Sequence, residues 1–315
     1  MGIIEVNGLT RHFGNTRAVD NLSFSVDEGE VFGMLGPNGA GKTTTIRILA
    51  CLILPSDGSV SVLGRDALKY PQKVRATVGV LTENPSLYER LTVNENLDFF
   101  AEAYGILNRQ RRRERIRQML EFFNLGNRKN DRVGTLSKGM KQKLSIARAI
   151  IHDPPVMLLD EPTAGLDPAA AKEIRDMVSQ LSLNNKHTVL LCTHHLEDAQ
   201  RLCGRVMIMN KGKKVVVETP RGLSSLMVEK PVIEVRLMEI NGQVVKAVQR
   251  LDSVVSVESD DAKKRLIVTT NGNEDNIPLI VEKIVYAGGR VVAVKSPRPS
   301  LEEAYLKLIK ESEAA

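Results

Sequence analysis

Residues 36–44 read Gly-Pro-Asn-Gly-Ala-Gly-Lys-Thr-Thr, and the reading of this stretch decides the fold. It fits the spacing G-x-x-x-x-G-K-[ST], with Lys42 as the cation and Thr43 as the hydroxyl. A polyphosphate is held by a concave row of backbone N–H groups. Gly36, Gly39 and Gly41 let the chain curl tightly enough to form one, with Pro37, Asn38 and Ala40 between them. A helix that begins at Lys42 aims its positive end at the same phosphates. On this reading Lys42 reaches the β- and γ-phosphates, the Thr43 hydroxyl takes one position on Mg²⁺, and Thr44 continues into the helix. The flanks agree. Val31-Phe32-Gly33-Met34-Leu35 is a short apolar run, and Thr44, Ile46, Ile48 and Leu49 follow at helical spacing. A chance match in a glycine-rich turn is the alternative, and those flanks argue against it.

Outward from the loop, residues 3–35 alternate as strands: Ile4 and Val6, then Leu22, Phe24 and Val26, with Asp27-Glu28-Gly29-Glu30 as a turn. Pro55-Ser56-Asp57-Gly58 turns into the strand Ser59–Leu63. Residues 92–125 change to helical spacing, with Leu97, Phe99, Phe100, Ile116, Leu120 and Phe123 as apolar positions. Between them lies a basic run from Arg109 to Arg117. It reads as a solvated helix face or as a contact for an acidic partner or lipid headgroups. Val156–Leu159 and Val189–Cys192 are unbroken apolar runs, which suit parallel strands covered on both faces. Each ends in polar residues, as the strand before the phosphate loop does, and open α/β sheets bind ligands at such carboxyl ends.

Those ends supply the remaining chemistry. Asp160, closing a buried strand, is the expected Mg²⁺-side carboxylate, and Glu161 stands where a base must orient water against the γ-phosphate. An acidic pair after a strand can also cap a helix, but Pro162 and Asp167-Pro168 mark a loop instead. His194 is either a buried structural histidine or, from its place after a parallel strand, a γ-phosphate contact, which we favour; His195 is expected to point elsewhere. Leu136-Ser137-Lys138-Gly139-Met140-Lys141-Gln142 opens a helix through Ile151. Ser137 can be a plain helix cap. The residues Ser137, Lys138, Gly139 and Met140 can also form a second anion site, using the Ser137 hydroxyl, the Gly139 N–H and the helix dipole.

Near residue 220 the pattern shifts. Ile233-Val235-Leu237 alternates, Val244, Val245, Val248 and Leu251 have helix spacing, and Val255-Val257 with Leu266-Val268 reads as a hairpin. A second helix ends at Gly288-Gly289, and Val291-Val292-Val294 closes a β-α-β-β-α-β, ferredoxin-like order. Ser300-Leu301-Glu302-Glu303 is a capping box for a last helix. No catalytic constellation lies in this part of the sequence.

With 315 residues the chain has room for two domains. Its net charge of +6 suits an anionic ligand or a membrane-proximal surface without demanding nucleic acid. Cys51, Cys192 and Cys203 are scattered in apolar sequence, which argues for a reducing cytosol and against disulfides or a metal site. MGIIEVNGL has no basic region followed by an apolar core, so no signal peptide is expected, and Val6 breaks the myristoylation pattern. No apolar run approaches the ~20 residues that span a bilayer.

Taken together these stretches resemble the ATP-binding cassette family. GPNGAGKTT is similar to its phosphate loop, LSKGMKQ to its signature and VMLLDE to its Mg²⁺/base strand. Ala164-Gly165-Leu166-Asp167 is similar to its dimer-contact loop, and CTHHLEDA to its histidine switch. Order and spacing agree over residues 3–220, and PRPSLEEAYLKL resembles the tail of exporter-type cassettes of drug, bacteriocin and sodium extrusion. The resemblance implies an α/β P-loop NTPase cassette: a mixed-sheet core, an antiparallel β subdomain and a helical subdomain at about 88–152. This cassette spans 1–220, and a small C-terminal α+β ferredoxin-like accessory domain covers 221–315. It implies ATP and Mg²⁺ as ligands, Phe13 stacking on adenine, and the signature of one subunit capping ATP held by another. It also implies that the loop after the strand 78–81 carries a Mg²⁺-side residue. The family usually has Gln there, whereas this chain has Glu83, whose carboxylate can ligate Mg²⁺ or its water while adding negative charge beside the γ-phosphate.

The implied function is the ATP-hydrolysing subunit of a transporter, an exporter, peripheral on the cytoplasmic face of the membrane. It would pair head-to-tail with a second cassette, as homodimer or heterodimer, and dock on a separate membrane permease. A soluble cassette ATPase of translation or DNA repair is the alternative, but those resemble tandem cassettes or carry a long coiled-coil insertion. A kinase lacks its acceptor-substrate site here, and intact Glu161 and His194 disfavour a purely structural nucleotide binder.

Overall fold

The alternating residues at the start of the chain form a hairpin of β1 (Ile4–Phe13) and β2 (Thr16–Val26), with Ile4 opposite Val26 and Val6 opposite Phe24. The computed structural model describes residues 2–82, 87–185, 187–226, 231–271, 276–296 and 300–314. Next come β3 (Val31–Leu35), α1 (Lys42–Leu49), β4 (Asp57–Val62), β5 (Arg65–Asp66), α2 (Pro71–Arg75) and β6 (Val78–Leu81). β4 pairs with β1 and β5 with β4, giving a four-stranded antiparallel sheet in the order β2-β1-β4-β5.

Three helices follow: α3 (Val93–Ala103), α4 (Arg109–Phe122) and α5 (Lys138–Ala149). α3 begins with a capping box, in which Thr92 Oγ1 accepts the Glu95 N–H and the Glu95 carboxylate accepts the Thr92 N–H. Leu97, Ile116, Leu120 and Phe123 are buried as their spacing requires. Phe99 is not. It is 46% exposed and meets Tyr88 and Phe100 edge-on, an apolar position that faces outward within a small aromatic cluster.

β7 (Val156–Asp160), α6 (Pro168–Asn185), β8 (Thr188–Thr193), α7 (Leu196–Leu202), β9 (Arg205–Asn210) and β10 (Lys213–Glu218) complete a six-stranded sheet. Its order is β10-β9-β3-β8-β7-β6, parallel except where β10 runs against β9. Every residue of β3, β7 and β8 is buried, which is why their sequences lack alternation. One core joins the two sheets: Ile4 and Val6 lie in the same apolar cluster as Met34, Leu158 and Leu190, and the Phe24 and Phe32 rings stack at 5.6 Å. Each fully buried Leu or Ile there contributes about 1.5–3 kcal/mol.

α8 (Pro220–Leu226) leads into a second unit made of β11 (Val232–Leu237), α9 (Gly242–Gln249), β12 (Val254–Asp260), β13 (Arg265–Thr270), α10 (Asn276–Tyr286) and β14 (Val291–Lys295). Its antiparallel sheet runs β12-β13-β11-β14. Ile233, Val235 and Leu237 pack with Val244 and Val248 of α9 and with Ile280 and Ile284 of α10, a separate core. Asn241 caps α9 by accepting the Val244 N–H at 2.8 Å.

The last helix, α11 (Leu301–Ala314), opens with the Ser300–Glu303 capping box. By compactness the chain divides into Met1–Pro220 with Leu308–Ala315, and Arg221–Lys307. The division expected at residue 221 for everything beyond it therefore differs at the far end. The last residues group with the first unit, where Asn210 Nδ2 donates to Ser312 Oγ at 2.9 Å.

Candidate active site

The loop that follows β3 is shaped by what presses on it. Gly41 sits at the start of α1 with φ 102°, and a side chain there would lie 2.5 Å from the Ala18 carbonyl oxygen. At Gly36 a side chain would strike the Met209 carbonyl. Backbone from β2 and β9 thus leaves room for glycine alone. No side chain caps α1, so its first N–H groups remain available to a ligand.

Lys42 is buried, and its Nζ donates to the Gly36 carbonyl at 2.6 Å and the Pro37 carbonyl at 3.2 Å. It also lies 3.8 Å from Glu161 Oε1. β7 delivers Asp160, buried at its last position, and the chain then turns sharply at Glu161 through φ 52°. A left-handed non-glycine residue costs roughly 1–2 kcal/mol, strain of the kind that collects at functional sites. Besides Lys42, the end of β8 holds it: the Glu161 N–H donates to the Cys192 carbonyl at 2.8 Å, Glu161 Oε1 lies 2.9 Å from His194 Nδ1, and Glu161 Oε2 accepts the His194 N–H at 3.4 Å.

His195 stays off the phosphate-loop side and lines a neighbouring cleft with Thr163 and Asp198. Yet its ring packs against that of His194 at 4.1 Å, and ligand atoms of Glu161, His194 and His195 all lie within 4.8 Å of one another. The chain leaves the strand at this point, so the alternation that would have separated the two histidines ends with β8. Cys192, just before them, is buried. Its thiol is pushed well up, first by burial and then by the charge of Asp160, and so stays a neutral packing group. All three cysteines are free.

A cleft of about 700 Å³ opens over the loop, walled by Asn38 to Thr44, Glu161 and His194. It brings Lys42, Thr43, Thr44, Glu161 and His194 together. It also gathers Arg17 and Lys211, which no motif marked: they come from β2 and from the turn between β9 and β10, and only the fold makes them neighbours. The excess of cations suits a polyphosphate.

Ser137, Lys138, Gly139 and Met140 do not line this cleft. Ser137 is exposed and caps α5, accepting the Met140 N–H at 3.3 Å. The Lys138 ammonium lies against Gly165, and a side chain at Gly139 would press on Ala170 at 3.1 Å. Gln142, from the same stretch, donates to the Pro162 carbonyl at 2.7 Å and ties α5 to the loop after Glu161. Phe13 is 46% exposed at the end of β1 with the Arg11 guanidinium 4.6 Å above its ring; its register partner Thr16 lines the cleft, and Phe13 itself does not. Glu83 lies outside the described residues.

Beneath the site, Asp198 is fully buried and accepts from Thr163 Oγ1 at 2.5 Å, Arg175 Nη1 at 3.0 Å and Thr193 Oγ1 at 3.3 Å. One carboxylate thereby joins the loop after Glu161, α6 and the end of β8. Removing it leaves a buried guanidinium without its main partner. Asp198→Ala is therefore expected to lower unfolding free energy by about 3–5 kcal/mol, read from denaturant midpoints. A loss below about 1 kcal/mol would show that the network does not carry this loop.

The description "ABC transporter" belongs to the family profile that matches residues 19–164. The chain is 33% identical to the uncharacterized ABC transporter ATP-binding protein YhcH of Bacillus subtilis (strain 168), over 98% of this chain and 97% of that one. It is 34% identical to the daunorubicin resistance ATP-binding protein DrrA2 of Streptomyces coeruleorubidus, over 97% and 94%. A solved dimeric ATP-binding cassette, in a post-hydrolysis state bound to ADP and Pi, superimposes with TM-score 0.63 at 26% identity, covering 69% of this chain and 98% of that one.

Proposed function

The chain belongs to the ATP-binding proteins of the ABC transporter family, and from that premise we propose how its residues divide the work of ATP hydrolysis and what it assembles with. The backbone N–H groups of residues 36–44 and the Lys42 ammonium hold the β- and γ-phosphates. Lys42 exchanges the Gly36 and Pro37 carbonyls for phosphate oxygens. Glu161 is the general base. Its Oε1, aimed by the left-handed turn and by His194 Nδ1 at 2.9 Å, takes a proton from the water that attacks the γ-phosphate. His194 holds that carboxylate in line and reaches the γ-phosphate with its ring. Phe13 is the proposed adenine contact. The Thr43 hydroxyl and the Asp160 carboxylate, with Glu83 as a third oxygen donor, are hard ligands that fit Mg²⁺. The ion, when bound, offsets the charge of the phosphates.

The observation that carries the assembly is the separation of Ser137–Met140 from the cleft of their own chain. A signature turned away from its own phosphate loop serves a second copy, head-to-tail, so that two complementary halves make each complete site. The related dimeric cassette supports this reading. No helix among the described residues is long and apolar enough to cross a membrane. From the ATP-binding proteins of transporters among its relatives, we propose that the transport path belongs to a separate permease, with the chain on the cytoplasmic face. The resistance protein among its relatives favours export.

A mixing experiment tests the pairing. Lys42→Ala and Gly139→Asp chains, each without turnover alone, should regain measurable ATP hydrolysis on mixing, because the mixed pair holds one intact site. No recovery from folded chains would overturn the head-to-tail homodimer.

A further inference from the structure

The basic run on α4 is the sequence feature that nucleotide chemistry leaves unused. Arg109, Arg113 and Arg117 follow one another at i, i+4 spacing, which sets three guanidinium groups on one helix face. That face borders a cleft. With α3 and the turn at Lys129 it walls a space of about 520 Å³, lined by five cations, Arg109, Arg112, Arg113, Arg117 and Lys129, against one carboxylate, Asp98.

Two of the five cations are committed within the protein. Arg112 is buried and donates from Nε to Asp98 Oδ1 at 2.7 Å and from Nη1 to the Ile106 carbonyl at 3.1 Å, which also neutralises Asp98. Arg117 is held by Glu114 and by Glu121, each at 2.7 Å. Arg109, Arg113 and Lys129 are exposed, and none of them makes an ion pair with a described carboxylate.

Like charges one helical turn apart repel, and a cleft concentrates their field, so the bare cleft is unfavourable in a way that an anion relieves. Guanidinium forks match phosphate oxygens in bidentate fashion. Ile116 and Leu120, both buried, form the floor behind these cations. We propose that this cleft binds a phosphate ester, with Arg109, Arg113 and Lys129 as its ligands. The phosphate comes from a lipid headgroup or from a soluble phosphate ester.

The test uses the full chain carrying Lys42→Ala, so that the phosphate loop contributes little. It is titrated with glycerol 3-phosphate by calorimetry and co-sedimented with phosphatidylcholine vesicles, with and without phosphatidylglycerol. The triple change Arg109→Ala, Arg113→Ala, Lys129→Ala is compared with Arg250→Ala, Lys264→Ala, Arg290→Ala, which removes the same charge from exposed positions elsewhere. The first triple should weaken binding by at least about tenfold, while the second leaves it unchanged. A loss in the titration assigns a soluble ester, and a loss confined to phosphatidylglycerol vesicles assigns a lipid headgroup. Where the first triple fails to fold by circular dichroism, the double change Arg109→Gln, Arg113→Gln gives the same readout. No loss in either arm, or an equal loss in both triples, overturns the proposal.

Discussion

Glu161→Gln is expected to hold ATP and to turn it over far more slowly than the parent chain. The amide is nearly isosteric and can keep a hydrogen bond to His194, and it tolerates the same left-handed turn. It cannot take a proton, so turnover should fall by about 10²–10⁴-fold with nucleotide affinity retained. Ligand that is held and never released then favours the paired form, because a ligand bound only by the closed state shifts the population toward it. Size-exclusion with saturating ATP should show a dimer that is absent without nucleotide. A variant that hydrolyses ATP at the parent rate would remove Glu161 as base, and a monomer under saturating ATP would remove the sandwich.

Lys42→Ala acts one step earlier. Its ammonium bridges the loop carbonyls and Glu161, and among the described cations that line the cleft, Arg17, Lys42 and Lys211, it alone is buried. Charge-assisted hydrogen bonds are worth about 1.5–3 kcal/mol each, so losing them from two phosphates should weaken ATP by roughly 10²-fold or more. Calorimetric titration reads this directly, and near-native affinity would refute the assignment. The two variants are expected to separate: one should bind ATP weakly, the other should bind it and react slowly.

What was legible in the sequence is what local chemistry dictates. The phosphate loop could be read because Gly36 and Gly41 answer to backbone contacts that admit no side chain, and such a demand leaves its mark on residue type. The strands at 31–35, 156–160 and 188–193 could be read because burial on both faces removes alternation. The side of the sheet on which chemistry collects followed from the polar residues after those runs. Other features escaped for a shared physical reason. The approach of Arg17 and Lys211 to the loop depends on strands paired far apart in sequence. The companionship of His195 with His194 depends on where a strand lets go, a boundary that periodicity sets poorly. Asp198 and Gln142 stood inside quoted motifs, yet their partners Thr163, Arg175 and Pro162 lie on other elements, and no spacing announces a tertiary hydrogen bond. Phe99 belonged to an apolar pattern and still faces outward, since helical spacing does not say how wide the covered stripe is.

The return of Leu308–Ala315 to the first unit changes what the second unit is in covalent terms. By this division it is an insertion, entered after Pro220 and left within α11, and not a tail. A single nick before Val232 would leave it attached through α11, whereas a stop codon near residue 221 would also take away the segment that holds Ser312 against Asn210. Excising the unit cleanly requires an internal deletion that joins the neighbourhood of Pro220 to that of Leu308, with a linker spanning the gap. Any replacement for the unit would have to meet the chain at two points, after Pro220 and at Lys307, and the second of these lies inside α11.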